Sequence, residues 1–335
     1  MKWNYYVGID VSKNYLDYAF LKGSVVIVNG RTDNNEQGII SLINQLKKEE
    51  DFSLEQCLFC MEHTGIYNNP FIHFLQDNNI NICLESARHI KLSGGLQRGK
   101  NDQVDALRIA QYAHRNRDSI KLWQPKRSVL IELGSLSTLR RRLLGVLQEL
   151  KTPLKAEKDF ILKSIYNKQI KLCSTSIKAI EKDINKVEKE ISQLIKKDET
   201  LNHLFNIITS IDGIGEVTAV EIILTTNEFK GINEAKKFAC YSGVAPFEYS
   251  SGKSIRGKTK VSPMANKTMK SLLHMAALSS ITMKGEMRIY FDRKVAEGKN
   301  KMLIINAIRN KLIHRIFACV NQNRKYEKIY TNALA

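Results

Sequence analysis

At 335 residues, with 43% hydrophobic side chains, the chain has material for about two domains and an ample core. Its 52 Lys and Arg against 34 Asp and Glu leave a formal net charge of +18. No apolar run approaches the ~20 residues of a membrane span. No signal peptide precedes Asp10, and six scattered cysteines make no disulfide framework, so the expected setting is cytoplasmic.

The charge is unevenly spread. Residues 1–115 hold 12 basic and 13 acidic side chains, and residues 116–335 hold 40 and 21. A near-neutral first part followed by a strongly basic remainder points to a polyanionic partner such as nucleic acid. Anionic lipid fits less well, because neither a lipidation motif nor a terminal amphipathic anchor accompanies the charge.

In chain order, residues 5–11, 15–21 and 24–28 read as short strands. A helix follows at about 35–50, then a strand at 57–62, a helix at about 67–78, a strand at 80–85, and helical residues around 101–115. Three early antiparallel strands, then alternating helix and parallel strand, then a helix with acids is the ribonuclease-H order. Asp10 ends the apolar run Tyr5-Tyr6-Val7-Gly8-Ile9, and Glu62 ends Cys57-Leu58-Phe59-Cys60-Met61. Asp102 and Asp105, three apart, share one face of the last helix. Four carboxylates so placed suit hard divalent ions, Mg2+ or Mn2+, which can grip both oxygens of a phosphoryl transfer. Each acid also has a plainer reading. Asp10 can simply end a strand, and Asp102 can cap a helix with Asp105 completing a capping-box-like pair. Cys57 and Cys60 have the spacing of a zinc half-site, but no second pair follows, and their apolar setting reads as buried and reduced.

Beyond Pro125 long helices are expected. Leu136, Leu139, Leu143, Leu147 and Leu150 form one stripe, interrupted by Pro153. Ile177, Ile180, Ile184, Val187, Ile191 and Leu194 form a heptad seam. The seam fits two partners equally, the 136–150 stripe in an internal hairpin or a second chain in a coiled coil. Residues 201–225 read as helix, turn and helix around Asp212-Gly213-Ile214-Gly215, either a phosphate-approaching helix-hairpin-helix turn or a plain turn between packed helices. Residues 251–315 carry 15 basic and 3 acidic side chains. In the basic loop there, a serine beside a glycine could act as a nucleophile or be an ordinary turn residue. Segments 264–281 and 302–320 read as amphipathic helices, with His274 and His314 packed or solvated.

Taken together, Gly8-Ile9-Asp10-Val11-Ser12-Lys13, Met61-Glu62-His63-Thr64-Gly65-Ile66-Tyr67 and Lys100-Asn101-Asp102-Gln103-Val104-Asp105-Ala106 resemble the acidic motifs of DEDD-type insertion-sequence transposases. These are serine-using, bridge-RNA-guided recombinases related to the Piv DNA invertase. Asp212-Gly213-Ile214-Gly215, Tyr241-Ser242-Gly243-Val244-Ala245-Pro246 and Ser250-Ser251-Gly252 are similar to the family's carboxy-terminal domain, in the family's order. The resemblance implies a Holliday-resolvase-like first domain whose Asp10, Glu62, Asp102 and Asp105 bind divalent metal. It implies that Ser251, with Ser250 as its neighbouring alternative, attacks DNA and becomes linked to it. It also implies a homo-oligomer, dimer or tetramer, in which acids of one subunit meet the serine of another, and an element-encoded noncoding guide RNA. Where relatives tend to have glycine and then arginine after the basic loop, this chain has Ala265 and Lys270.

The expected organisation is therefore an α/β ribonuclease-H/Holliday-resolvase-like domain over 1–122, a helical coiled-coil segment over 123–200, and a mainly α-helical transposase domain over 201–335. The expected function is a DNA transposase or recombinase forming a phosphoserine intermediate. A resolvase-type nuclease using metal-bound water, or a non-catalytic nucleic-acid-binding protein, are the alternatives.

Overall fold

The computed structural model describes residues 3–63, 65–94, 102–251, 255–262 and 264–327, and of residues 248–251 and 255–260 the backbone alone. The chain divides into two compact units, Met1–Pro125 and Lys126–Ala335.

The first unit is built on strands β1 (Tyr5–Val11), β2 (Tyr15–Lys22), β3 (Val25–Asp33), β4 (Cys57–Glu62) and β5 (Asn81–Glu85), with helices α1 (Glu36–Leu46), α2 (Asn69–Asp77), α3 (Ala87–Ser93) and α4 (Asp102–Arg115). The strands form one sheet in the order β3-β2-β1-β4-β5. β1 pairs antiparallel with β2 and parallel with β4, β2 pairs antiparallel with β3, and β4 pairs parallel with β5. These are the strand senses that the pattern of runs and turns predicts, and β3 continues to Asp33, five residues past the expected stop at 28.

Strand alternation sorts the sheet into two cores, because successive side chains point to opposite faces. Tyr5, Val7, Ile9 and Val11 join Phe59, Met61, Ile39, Leu42 and Phe71 on one face. Tyr6, Leu58, Cys60 and Cys83 join Ala106, Ile109, Ala110 and Ala113 of α4 on the other. Cys57 and Cys60 are both fully buried, free, and on opposite faces of β4, so they cannot share a metal.

In the second unit helices α5 (Ser128–Glu157) and α6 (Lys163–Lys197) lead to α7 (Glu199–Thr209), α8 (Glu216–Thr226) and α9 (Ala235–Tyr241). A hairpin of β6 (Pro246–Ser251) and β7 (Ile255–Val261) follows, then α10 (Lys267–Thr282), α11 (Glu286–Ala296) and α12 (Lys301–Asn321). α5 runs through Pro153, which lies one turn from its end. α6 turns back along α5, with the ion pairs Arg140–Glu188 at 2.7 Å and Lys151–Glu181. Ile184 and Val187 of the heptad seam are buried within this chain. The internal hairpin is thus the arrangement observed, while Phe160, Leu162 and Ile165 at its tip stay exposed.

Two local features fix the helical core. Gly213 has φ +91°, and a Cβ there would lie 2.6 Å from the Ala276 carbonyl of α10, so this glycine is required by the turn and by close helix packing. Arg127, just before α5, binds Asp198 at 2.8 Å and Glu228, whose side chain is 2% exposed. Glu228 sits in a run of left-handed residues, Asn227, Glu228 and Phe229, with φ 50°, 56° and 63°. The guanidinium holds that turn and the α6–α7 junction together.

Candidate active site

The acids of the first unit are assembled by the α4 face of the sheet. On β1 the residues facing α4 are Tyr6, Gly8 and Asp10. A Cβ on Gly8 would stand 2.2 Å from both the Ala106 carbonyl oxygen and the Ala110 nitrogen of α4. The missing side chain lets α4 lie directly on β1, and this brings its first turn, with Asp102 and Asp105, to the end of the strand that carries Asp10.

The same parity runs across the sheet. Asp17 on β2 stands opposite Asp10, and Glu62 on β4 stands opposite Glu85 on β5. Asp17, Asp10, Glu62 and Glu85 therefore form a row of acids across four neighbouring strands at one end of the sheet, beneath the start of α4. The outer pair is neutralised locally. Asp17, 4% exposed, is clasped by Arg31, with Nε to Oδ1 at 3.0 Å and Nη2 to Oδ2 at 2.9 Å. Glu85 accepts from the Tyr112 hydroxyl at 2.9 Å and from its neighbour's backbone N–H at 2.8 Å, and lies 2.9 Å from His89 Nδ1.

Among the described residues the inner pair has no such compensation. Asp10 is pushed up to about 6, first by burial and then by the negative charge of Glu62, Asp102, Asp105 and Asp17. Burial, and then Asp105, raises Glu62 as well. Glu62, Asp102 and Asp105 all act electrostatically on Asp10. Two arginines meanwhile hold the α4 acids, with Arg31 Nη2 on Asp102 at 3.0 Å and Arg108 on Asp105 at 2.6 Å. Among the described residues no three potential ligands converge closely enough to hold a metal ion as they stand. The donor chemistry fits a hard divalent cation, because the half-buried Asp10 and Glu62, beside the two α4 carboxylates, offer the oxygen donors that Mg2+ or Mn2+ takes.

Sequence reasoning missed Asp17, Glu85 and Arg31. The parity of β2 and β5 puts both acids on the α4 side and could have singled them out. Arg31 carries no such signal, because β3 extends beyond its apolar run.

In the second unit the serines end β6, where Ser250 pairs with Arg256 and Ser251 with Ile255 across the hairpin. Their side chains, and residues 252–254, lie outside the described part. The segment read as a basic loop is thus a two-stranded hairpin in an otherwise helical unit, with Arg256, Lys258 and Lys260 at alternate positions of β7. Arg309 of α12 is 6% exposed, with its Nε unpartnered among the described residues and its Nη2 against His274 Nδ1. His274 is packed, as expected, and burial followed by the Arg309 charge lowers its pKa.

Residues 7–166 match the DEDD-type IS110 transposase family, and residues 205–292 match the transposase IS116/IS110/IS902 family. The chain is a DNA transposase or recombinase enzyme. More particularly, it is an IS110/IS116/IS902-type transposase with a DEDD transposase domain. It is 28% identical over 327 residues to the pilin gene-inverting protein of Moraxella bovis, covering 96% of this chain and 98% of that protein. The pilin gene-inverting protein of Moraxella lacunata is similar to the same extent. An insertion element IS110 43.6 kDa protein of Streptomyces coelicolor is 28% identical over 121 residues, covering 36% of this chain and 30% of that protein. DNA is the substrate that a transposase implies, and no helix among the described residues is long and apolar enough to cross a membrane.

Proposed function

We propose that this transposase cuts and rejoins DNA strands with two sets of groups, the acids Asp10, Glu62, Asp102 and Asp105 of the first unit and Ser251 of the second. The observation that carries the reading is the gathering of the four acids at one end of the sheet, where burial and then the charge of the other three raise the pKa of Asp10. The strand order β3-β2-β1-β4-β5 supports reading that end as a ribonuclease-H-like centre. A divalent cation, Mg2+ or Mn2+, held by these carboxylates would neutralise phosphate charge and stabilise the departing 3′ oxygen.

The chain's own groups do the rest. Ser251 Oγ attacks phosphorus. An Oγ–P bond forms, the P–O3′ bond breaks, the serine proton passes to a base, and the 3′ oxygen takes up a proton as it leaves. The phosphoserine ester conserves the bond, so a strand's 3′ hydroxyl can reverse the step without ATP. The alternating cations of β7 support a phosphate lying along the hairpin. The basic second unit suits DNA together with a noncoding guide RNA, base pairing supplying sequence choice. Full-length similarity to the gene-inverting proteins supports a rearranging enzyme over a simple nuclease. A homo-oligomer, dimer or tetramer, would let acids and serine meet from different subunits.

Asp102→Asn tests the acids. Asn preserves shape and capping ability, so on the capping reading the variant keeps full cleavage. On the reading proposed here it loses DNA cleavage by about 100-fold or more, with melting temperature nearly unchanged. Full cleavage by this variant would sink the proposal.

A further inference from the structure

Arg31 projects from β3 across the exposed end of the site, and its two partners differ in kind. Asp17 is buried, 4% exposed, and takes the Nε edge of the guanidinium at 3.0 and 3.2 Å together with Nη2 at 2.9 Å. Asp102 is 63% exposed and receives one bond, from Nη2 at 3.0 Å. Nη1 makes no hydrogen bond among the described residues, and the plane lies against Tyr15, 5.4 Å from the ring centroid. A buried carboxylate cannot give up its cation cheaply, whereas an exposed one can. The Asp17 contact is therefore a permanent mount, and the Asp102 contact is exchangeable.

We propose that Arg31 is a substrate-binding residue of the active site, in which the Asp102 carboxylate holds the place of the phosphodiester of the DNA strand to be cut. This rests on the reading of the four acids as a metal site. Asp102 cannot serve a metal fully while it neutralises an arginine. When it turns to the metal, Arg31 stays on Asp17 and its Nη1–Nη2 edge is freed. That edge is the planar two-pronged donor that matches two non-bridging phosphate oxygens. One anion thus replaces another, and the cation stays balanced throughout. The pairing also explains why the carboxylates do not close on one point as they stand. Arg108 on Asp105 differs, since it is an i,i+3 pair within α4. Arg31 instead links three elements, β3, β2 and α4, and is 45% exposed toward solvent.

The test uses the full chain, Mn2+ binding by titration, and a short labelled DNA duplex bound in the presence of Ca2+. Removing a cation beside a ligand carboxylate strengthens metal binding, so Arg31→Gln should bind Mn2+ about tenfold more tightly. Its duplex affinity should depend less on salt, with the slope of log K against log salt falling by about one contact. Cleavage at saturating Mn2+ should fall about 100-fold. Arg31→Lys keeps the charge beside Asp17 but loses the fork, so it should restore the salt slope and leave cleavage low. If Arg31→Gln instead binds Mn2+ more weakly with an unchanged salt slope, Arg31 only braces Asp102 and the proposal is wrong. Should Arg31→Gln fail to fold, Arg31→Lys decides alone, since wild-type cleavage in that variant excludes a role for the fork. Failure of the underlying metal reading looks different, because the wild-type chain would then take up no Mn2+ at all.

Discussion

Gly8→Ala should lose DNA cleavage and destabilise the chain by about 3 kcal/mol, although it adds one methyl group and removes no candidate ligand. The methyl would meet α4 backbone at 2.2 Å, and neither the Ala106 carbonyl nor the Ala110 nitrogen can rotate away as a side chain would. α4 must lift from β1, which opens the packing of Tyr6, Cys60, Ala106 and Ala110 and withdraws Asp102 and Asp105 from Asp10. Thermal melting and a cleavage assay report the two effects together. A variant with wild-type melting and wild-type cleavage would show that the close approach of α4 does not position the acids.

Asp10→Asn should have opposite effects on activity and stability. Cleavage should disappear with the loss of a ligand anion. Stability should rise when metal is chelated, for a reason that depends on pH. Asp10 has its folded-state pKa raised from 3.8 to about 6, so the folded chain holds a proton on it that the unfolded chain has released. Metal-free wild type therefore loses stability as pH rises through that window and stays weakened above it. Asn carries no charge and escapes this loss. At pH 7 with chelator the variant should be more stable than wild type by on the order of 1 kcal/mol, allowing for solvent screening. The difference should vanish below about pH 4. Added Mn2+ should then raise the wild-type melting temperature more than that of the variant. A variant less stable than wild type at pH 7 without metal would mean that Asp10 is not strained by its neighbours.

Much of this site could be read along the chain because strand parity is a local property. Tyr6, Gly8 and Asp10 alternate with Tyr5, Val7 and Ile9, and the acid at the end of each apolar run takes the face opposite the larger aliphatic core. The three-residue spacing of Asp102 and Asp105 likewise survives intact at the start of α4. What could not be read depends on partners distant in sequence. Asp17 becomes a mount for Arg31 only because β2 and β3 pair in a register that sets Asp17 opposite Arg31. Glu85 is occupied because Tyr112, three helical turns into α4, reaches back to β5. The β6–β7 hairpin is hard to read because the uncharged residues that alternate with Arg256, Lys258 and Lys260 include Gly257 and Thr259, which make no apolar stripe. The heptad seam presented the opposite problem. Its stripe is unmistakable, yet a stripe specifies a partner's shape and not whose chain supplies it. Folding α6 back on α5 resolves this for Ile184 and Val187, which are buried inside the chain.

The central claim joins two separate chemistries, acids that activate a phosphate and a serine that attacks it. Its most direct measurement is the identity of the bond made to DNA. Labelled element-end DNA, incubated with the full chain, the proposed guide RNA and Mg2+, should be denatured, digested with nuclease and protease, and the labelled peptide sequenced by mass spectrometry. The account predicts a nucleotide esterified to Ser251, absent from Ser251→Ala and from Asp102→Asn although both still bind DNA. Cut DNA with free ends, no protein attached, and undiminished cleavage by Ser251→Ala would contradict it and leave a metal-water nuclease in its place.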